Sequence, residues 1–303
     1  MSADHSSSAK AIMYAFFANL GIAITKGFAA VYTNSGSMLA EAIHSAADAT
    51  NQVLLFIGIK QAQKPATEEH PLGFGKATYF WSFVVALLLF SIGGLFSIYE
   101  GWHKLHEPEP LHQAWVALTV LGIAIVLETL SLIGCLKEIR RVRRGRPFRD
   151  WLEHTRNAEL VVVLGEDIAA EVGLVIAFVF VAIADWTGDT RWDAAGSISI
   201  GVVLIVVALF ISLRVMKLLV GRSAEPELVR KLDELIAEDD AIEQLFNTLT
   251  IQFGPQVMLA AKIRMKPGLS IEDAVERINR LERQIKERYP EIGWCFVEPD
   301  TAD

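Results

Sequence analysis

The sequence predicts an all-α bundle of six transmembrane helices with a small α+β domain at its C-terminal end. Three observations lead there: six apolar runs of bilayer-spanning length, a steep rise in charge density after Gly221, and a change of hydrophobic period beyond that point. The chain has 303 residues, of which 52% are hydrophobic, and a mean hydropathy of +0.35. A water-soluble chain of this length needs more charge to cover its surface. The formal net charge of -8 comes largely from the C-terminal part and offers no basic face to nucleic acid.

A bilayer core of about 30 Å takes about 20 mostly apolar residues to cross. Six runs qualify: Ala11–Tyr32, Met38–Ile59, Tyr79–Tyr99, Trp115–Cys135, Leu160–Ala184 and Ala195–Leu219. Orientation follows from Lys and Arg in the short loops. The loop KEIRRVRRGRPFRDWLEHTR follows the fourth run, and Lys60, Lys64 and Lys76 follow the second. The opposite loops hold only Lys104 and Arg191. Both termini are thus expected in the cytoplasm, with a bacterial inner membrane as the expected location. The first residues lack a basic region and a cleavage signature, so a cleaved signal peptide is not expected.

The transmembrane domain is expected over 1–221 and the soluble domain over 222–303. Leu228, Leu232, Leu235 and Ile236 form a helical stripe, whereas Leu249, Ile251 and Phe253 alternate with polar residues as in a strand. After the Gly254-Pro255 turn, Val257, Leu259, Ala261, Ile263 and Met265 predict a second strand. Ser270 and Asp273 resemble a capping box opening a second helix, and Trp294–Val297 a last strand. The order αββαβ is that of a ferredoxin-like domain, here expected to be cytoplasmic and to form a homodimer. Cys135 and Cys295 have no pairing or ligand spacing, which predicts neither a disulfide nor a cysteine-based zinc site.

Ionisable groups inside a span cost about 2.5–3.5 kcal/mol each on insertion scales, so they persist only where paired or functional. The second run carries Glu41, His44 and Asp48, which share one helix face at i, i+3 and i+7. The fifth carries Glu166, Asp167 and Glu171; Asp167 and Glu171 share a face, and Glu166 points about 100° away. Two such helices facing each other would present an imidazole and several carboxylates to one point, a donor set suited to Zn²⁺ and tolerant of other divalent ions. The plainer alternative is a structural His44–Asp48 pair with Lys26 bound to Asp167. Lys26 and Glu128 could also pair with each other.

The runs SGSMLAEAIHSAADATNQ and HPLGFGKATYF, with six spans before an αββαβ domain, resemble the cation diffusion facilitator family of metal exporters. The Glu166-Asp167 pair and LVGRSAEPE look most like its branch of mitochondrial zinc transporters. The resemblance implies a tetrahedral transport site with His44 and Asp48 from the second span and Asp167 from the fifth. The usual partner one turn before Asp167 falls on Val163, which has no donor, so Glu166, Glu41, Glu171 or water is left to complete the site. A second site in the loop is half present: Glu68, Glu69 and His70 are there, but Phe74 stands at the second histidine position. No histidine follows His154, so a metal cluster in the C-terminal domain is not expected.

The function implied is metal/proton antiport by alternating access, with a divalent metal ion and protons as substrates, membrane lipid as surroundings and no cofactor. Mn²⁺, Fe²⁺ or Co²⁺ as cargo is the alternative, as is a non-transporting membrane sensor or scaffold. A metalloenzyme would need an HExxH-like pair or a nucleophile with its base, and neither is present.

Overall fold

The computed structural model describes residues 20–108, 110–111, 113–143 and 145–302. The chain is mostly helical and ends in a three-stranded sheet. It divides into two compact units, one of residues up to Ile59 with Phe80–Gly145 and Ala158–Val215, the other of Lys60–Tyr79, Arg146–Asn157 and Met216–Asp303.

In the first unit, α1 covers Leu20–Thr33; residues 11–19 of the first expected span lie outside the described residues. The helix α2, Gly36–Ala62, is about 40 Å long at 1.5 Å per residue. Among the described residues, four helical stretches are long and apolar enough to cross a membrane. The first joins α3 (Ala77–Leu88) and α4 (Phe96–His106) through a π-helical segment, Leu89–Leu95. The others are α5 (Ala114–Val142), α7 (Ala158–Thr187) and α8 (Arg191–Val220). Each outruns the apolar run that announced it, because flanking polar residues continue the same helix. Large apolar side chains face outward, among them Phe28, Val31, Val126, Leu130, Val206 and Leu213. So much exposed apolar surface suits lipid and not water.

The start of α2 is fastened by one carboxylate of α8. Asp193 accepts from the Ser35 hydroxyl at 2.6 Å, the Gly36 amide at 2.5 Å and the Ser37 amide at 3.2 Å. The Ser37 hydroxyl in turn donates to the Asp193 carbonyl at 2.7 Å. These bonds satisfy amides that a helix start leaves without partners, so α2 begins at a fixed point beside α8.

In the second unit, α9 (Pro226–Ala237) and α10 (Ile271–Arg288) pack on a sheet ordered β1 (Ile242–Phe253), β2 (Gln256–Met265), β3 (Ile292–Pro299). The β1–β2 pair is antiparallel and β2–β3 parallel, as the expected αββαβ order requires. Leu232, Ile236, Leu259, Ile263, Leu281 and Ile285 form the core. Ser270 caps α10, accepting from the Asp273 amide at 3.1 Å. The first strand starts six residues before its alternating pattern, carried there by ladder bonds to β2 through two register shifts.

Two loop segments also belong to this unit. The Tyr79 hydroxyl donates to the Gly254 carbonyl at 3.1 Å, and Gly75 lies against the Phe253 carbonyl with no room for a Cβ. That contact requires a glycine in HPLGFGK for packing reasons alone. The basic loop holds an unexpected short helix, α6 (Phe148–His154). Next to it Arg156 donates to the carbonyls of Ser223 at 2.7 Å and Ala224 at 2.9 Å, and Arg146 pairs with Glu225 at 2.8 Å. Several basic residues of this loop thus have structural partners in addition to any topological role.

Candidate metal site

The helical period of α2 sends Glu41, His44 and Asp48 to one side, but their surroundings differ. Glu41 is fully buried and accepts from the Lys26 ammonium at 3.2 Å, while Lys26 also donates to the Ser45 hydroxyl at 2.7 Å. The buried ion pair of α1 is therefore Lys26–Glu41 and not Lys26–Glu128 or Lys26–Asp167. Glu41 and Ser45, one turn apart, meet the lysine together. The Glu41 carboxylate also presses on Gly173 of α7, where a Cβ would collide with it.

His44 is fully buried, and neither ring nitrogen has a hydrogen-bond partner. Its Nδ1 stands 3.6 Å from Asp48 Oδ1, too far for a hydrogen bond. Buried imidazoles are normally satisfied, so this pair calls for a ligand or a proton between its members.

Asp48 lines a cavity of about 70 Å³ together with Ile22, Ser45, Gln52, Glu128, Ser131, Val163, Glu166 and Asp167. That is room for an ion with one or two waters. Four carboxylates from α2, α5 and α7 thus face one small space: Asp48, Glu128, Glu166 and Asp167. Glu166 is held by Asn51, whose amide donates to Oε1 at 2.7 Å. Glu171 instead accepts from Thr129 at 3.0 Å and does not line the cavity. Val163 does line it, apolar at the place where a donor would complete the set. Among the described residues, no three His, Cys, Asp or Glu side chains converge closely enough to hold an ion as placed. The donors surround the space without meeting at one point.

The loop residues lie elsewhere. Glu68, Glu69 and His70 are exposed, and the His70 ring stacks on Phe74 at 4.4 Å between centroids. The residue at the second histidine position is therefore the aromatic partner of the first.

Reading the sequence missed Asn51, Gln52 and the face of α5. The signal was there: Glu128, Ser131 and Cys135 repeat the i, i+3, i+7 spacing of Glu41, His44 and Asp48.

The cation efflux transmembrane domain, as a family, matches residues 12–220, more than half of the chain. A proton-coupled zinc antiporter SLC30A9, mitochondrial, from Xenopus laevis is 33% identical over 256 residues, covering 84% of this chain and 45% of that protein. Metal tolerance protein C4 of Arabidopsis thaliana is 27% identical over 279 residues, 91% of this chain and 61% of its own. The cation-efflux pump FieF of Klebsiella pneumoniae is 26% identical over 267 residues, 88% of this chain and 84% of its own. The chain spans about half the length of the SLC30A9 proteins it matches. A cavity walled by carboxylates within apolar helices and a family match across those helices lead to one conclusion: this multi-pass integral membrane protein belongs to the cation efflux, or cation diffusion facilitator, family.

Proposed function

We propose that the protein is a secondary transporter, not an enzyme, that exports a divalent transition-metal cation, Zn²⁺ foremost, in exchange for protons. The observation that carries this reading is the cavity that four carboxylates share, with the unpartnered His44 imidazole directly behind Asp48. His44, Asp48 and Asp167 are its ligands, and Glu166 is the fourth donor. Two contacts favour Glu166: it faces the cavity, whereas Glu41 is engaged by Lys26 and Glu171 by Thr129. A mixed N/O donor set of this kind suits Zn²⁺, and relatives named proton-coupled zinc antiporters support that cargo.

The bundle has six spans, α1 and α2 joining the four apolar stretches, over residues 1–221. Residues 222–303 form a cytoplasmic domain that pairs two copies of the chain. The basic loops support a topology with both termini on the cytoplasmic face, here of a bacterial inner membrane. Metal capture requires neutral His44 and ionised carboxylates, so binding expels protons. Protons arriving from the far side then compete for the same atoms and release the ion. Asp48, Glu166 and Asp167 already line the same space and His44 stands 3.6 Å from Asp48, so rearrangement of these side chains is what would bring the donors together.

Proteoliposomes test this. A proton gradient should drive Zn²⁺ movement, and the heat of Zn²⁺ binding should vary with the ionisation enthalpy of the buffer. Zn²⁺ flux indifferent to the gradient, with a buffer-independent heat, would rule out proton antiport.

A further inference from the structure

The cavity ends on a layer of groups that the ligand set does not use. On α1 its lining stops at Ile22, one turn before Lys26; on α2 it stops at Ser45, one turn from Glu41; on α7 it stops at Asp167, short of Gly173. Asn51 meets Glu166 while Glu41 meets Gly173, so α2 and α7 run in opposite directions and these offsets lie toward the start of α2. At that end the buried Lys26 ammonium donates to the hydroxyl of Ser45 at 2.7 Å and to Glu41 Oε2 at 3.2 Å. Glu41 Oε1, buried and without a hydrogen-bond partner, lies against Gly173, where a Cβ would collide with it. The layer joins three helices, is tightly filled, and carries a positive charge at the end of a cavity walled by carboxylates.

We propose that Lys26 and Glu41 form a gate that closes the cation path at the end where α2 begins. This inference rests on the transport reading above. A buried ion pair is commonly no more stabilising than apolar side chains of the same volume, so the pair is better explained by what only charges do. The ammonium repels a divalent cation from the closed end and holds the one carboxylate there. Glu41 shares a helix face with His44, one turn away, so a cation leaving His44 toward that end meets Glu41 next. Lys26 and the cargo then compete for the same carboxylate. The pair parts as the cation passes and re-forms once it has gone, and neither group has to change its protonation.

Access to the cavity from each face of the membrane tests this. The chain has two cysteines, so Cys135→Ser/Cys295→Ser protein carrying Ser131→Cys has one thiol, at a position that lines the cavity. In metal-free vesicles of either orientation, a membrane-impermeant thiol reagent should label it faster from the face where α2 ends than from the face where α2 begins. Adding Lys26→Ala/Glu41→Ala should raise the rate from the face where α2 begins by about 10-fold and leave the other rate as it was. A structural role alone would not move the ratio of the two rates. If that variant fails to fold, Glu41→Gln keeps the shape, loses the charge and should raise the same rate by about 3-fold. An unchanged ratio in a folded variant, or an equal rise at both faces, would overturn the gate while Zn²⁺ flux in the parent keeps transport standing. A parent protein that neither binds nor carries Zn²⁺ would sink the transport reading and the gate together.

Discussion

The two units of this chain are organised in opposite senses. In the C-terminal unit the interior is apolar, from Leu232 on α9 to Leu259 on β2 and Leu281 on α10, and nearly all charges are outside, Arg156 being buried. In the helical unit Lys26, Glu41, His44 and Glu166 are buried while Phe28, Val31 and Leu213 are exposed. Water explains the first arrangement and lipid the second. The comparison also separates what polar groups do. Exposed pairs such as Arg230–Glu234 at 2.5 Å ornament a helix that the core already holds. Buried ones pair where they can, as Lys26 and Glu41 do, whereas the buried His44 ring has no hydrogen-bond partner at either nitrogen.

The largest effect expected is on transport. Asp48→Ala or Asp167→Ala should lower Zn²⁺ flux in proteoliposomes by on the order of 100-fold, with folding retained, because these groups carry cost and no structural benefit. Near-normal flux in Asp167→Ala would remove α7 from the site. Next comes Lys26→Met, which strands the Glu41 carboxylate and should cost about 3–5 kcal/mol. The double variant Lys26→Met/Glu41→Met should recover most of it in denaturant unfolding, and no recovery would mean that Glu41 has another essential role. In the other unit, Leu232→Ala should cost about 2–5 kcal/mol through the cavity it leaves.

The smallest effects concern groups away from both interiors and a thiol within one. Arg230→Ala should change stability by about 0.5 kcal/mol or less. Cys295 has its thiol pushed up to about 12, chiefly by burial and secondarily by Glu282. It should resist alkylation at neutral pH. Since burial favours the protonated form, this thiol adds stability below its ordinary value of 9.0 that is lost as pH rises toward 12. Fast labelling of Cys295 at neutral pH in the Cys135→Ser variant would show that the C-terminal core opens readily.

Sequence alone determined most of the elements. Apolar runs of span length and the switch from helical to alternating period are local signals, so the existence and type of α7, α8, β2 and α10 were legible, though polar flanks carry α7 and α8 beyond their runs. The six-residue early start of β1 was not, because its ladder partners on β2 are remote in sequence. The candidate site divides in the same way. That Glu41, His44 and Asp48 share a face follows from the 3.6-residue turn. Which of them faces a cavity does not, because that depends on what the neighbouring helices bring. Lys26 drew Glu41 into an ion pair, Thr129 occupied Glu171, and Asn51 fixed Glu166, all through contacts between helices. Periodicity tells which residues share a side; only tertiary packing decides what stands across from them.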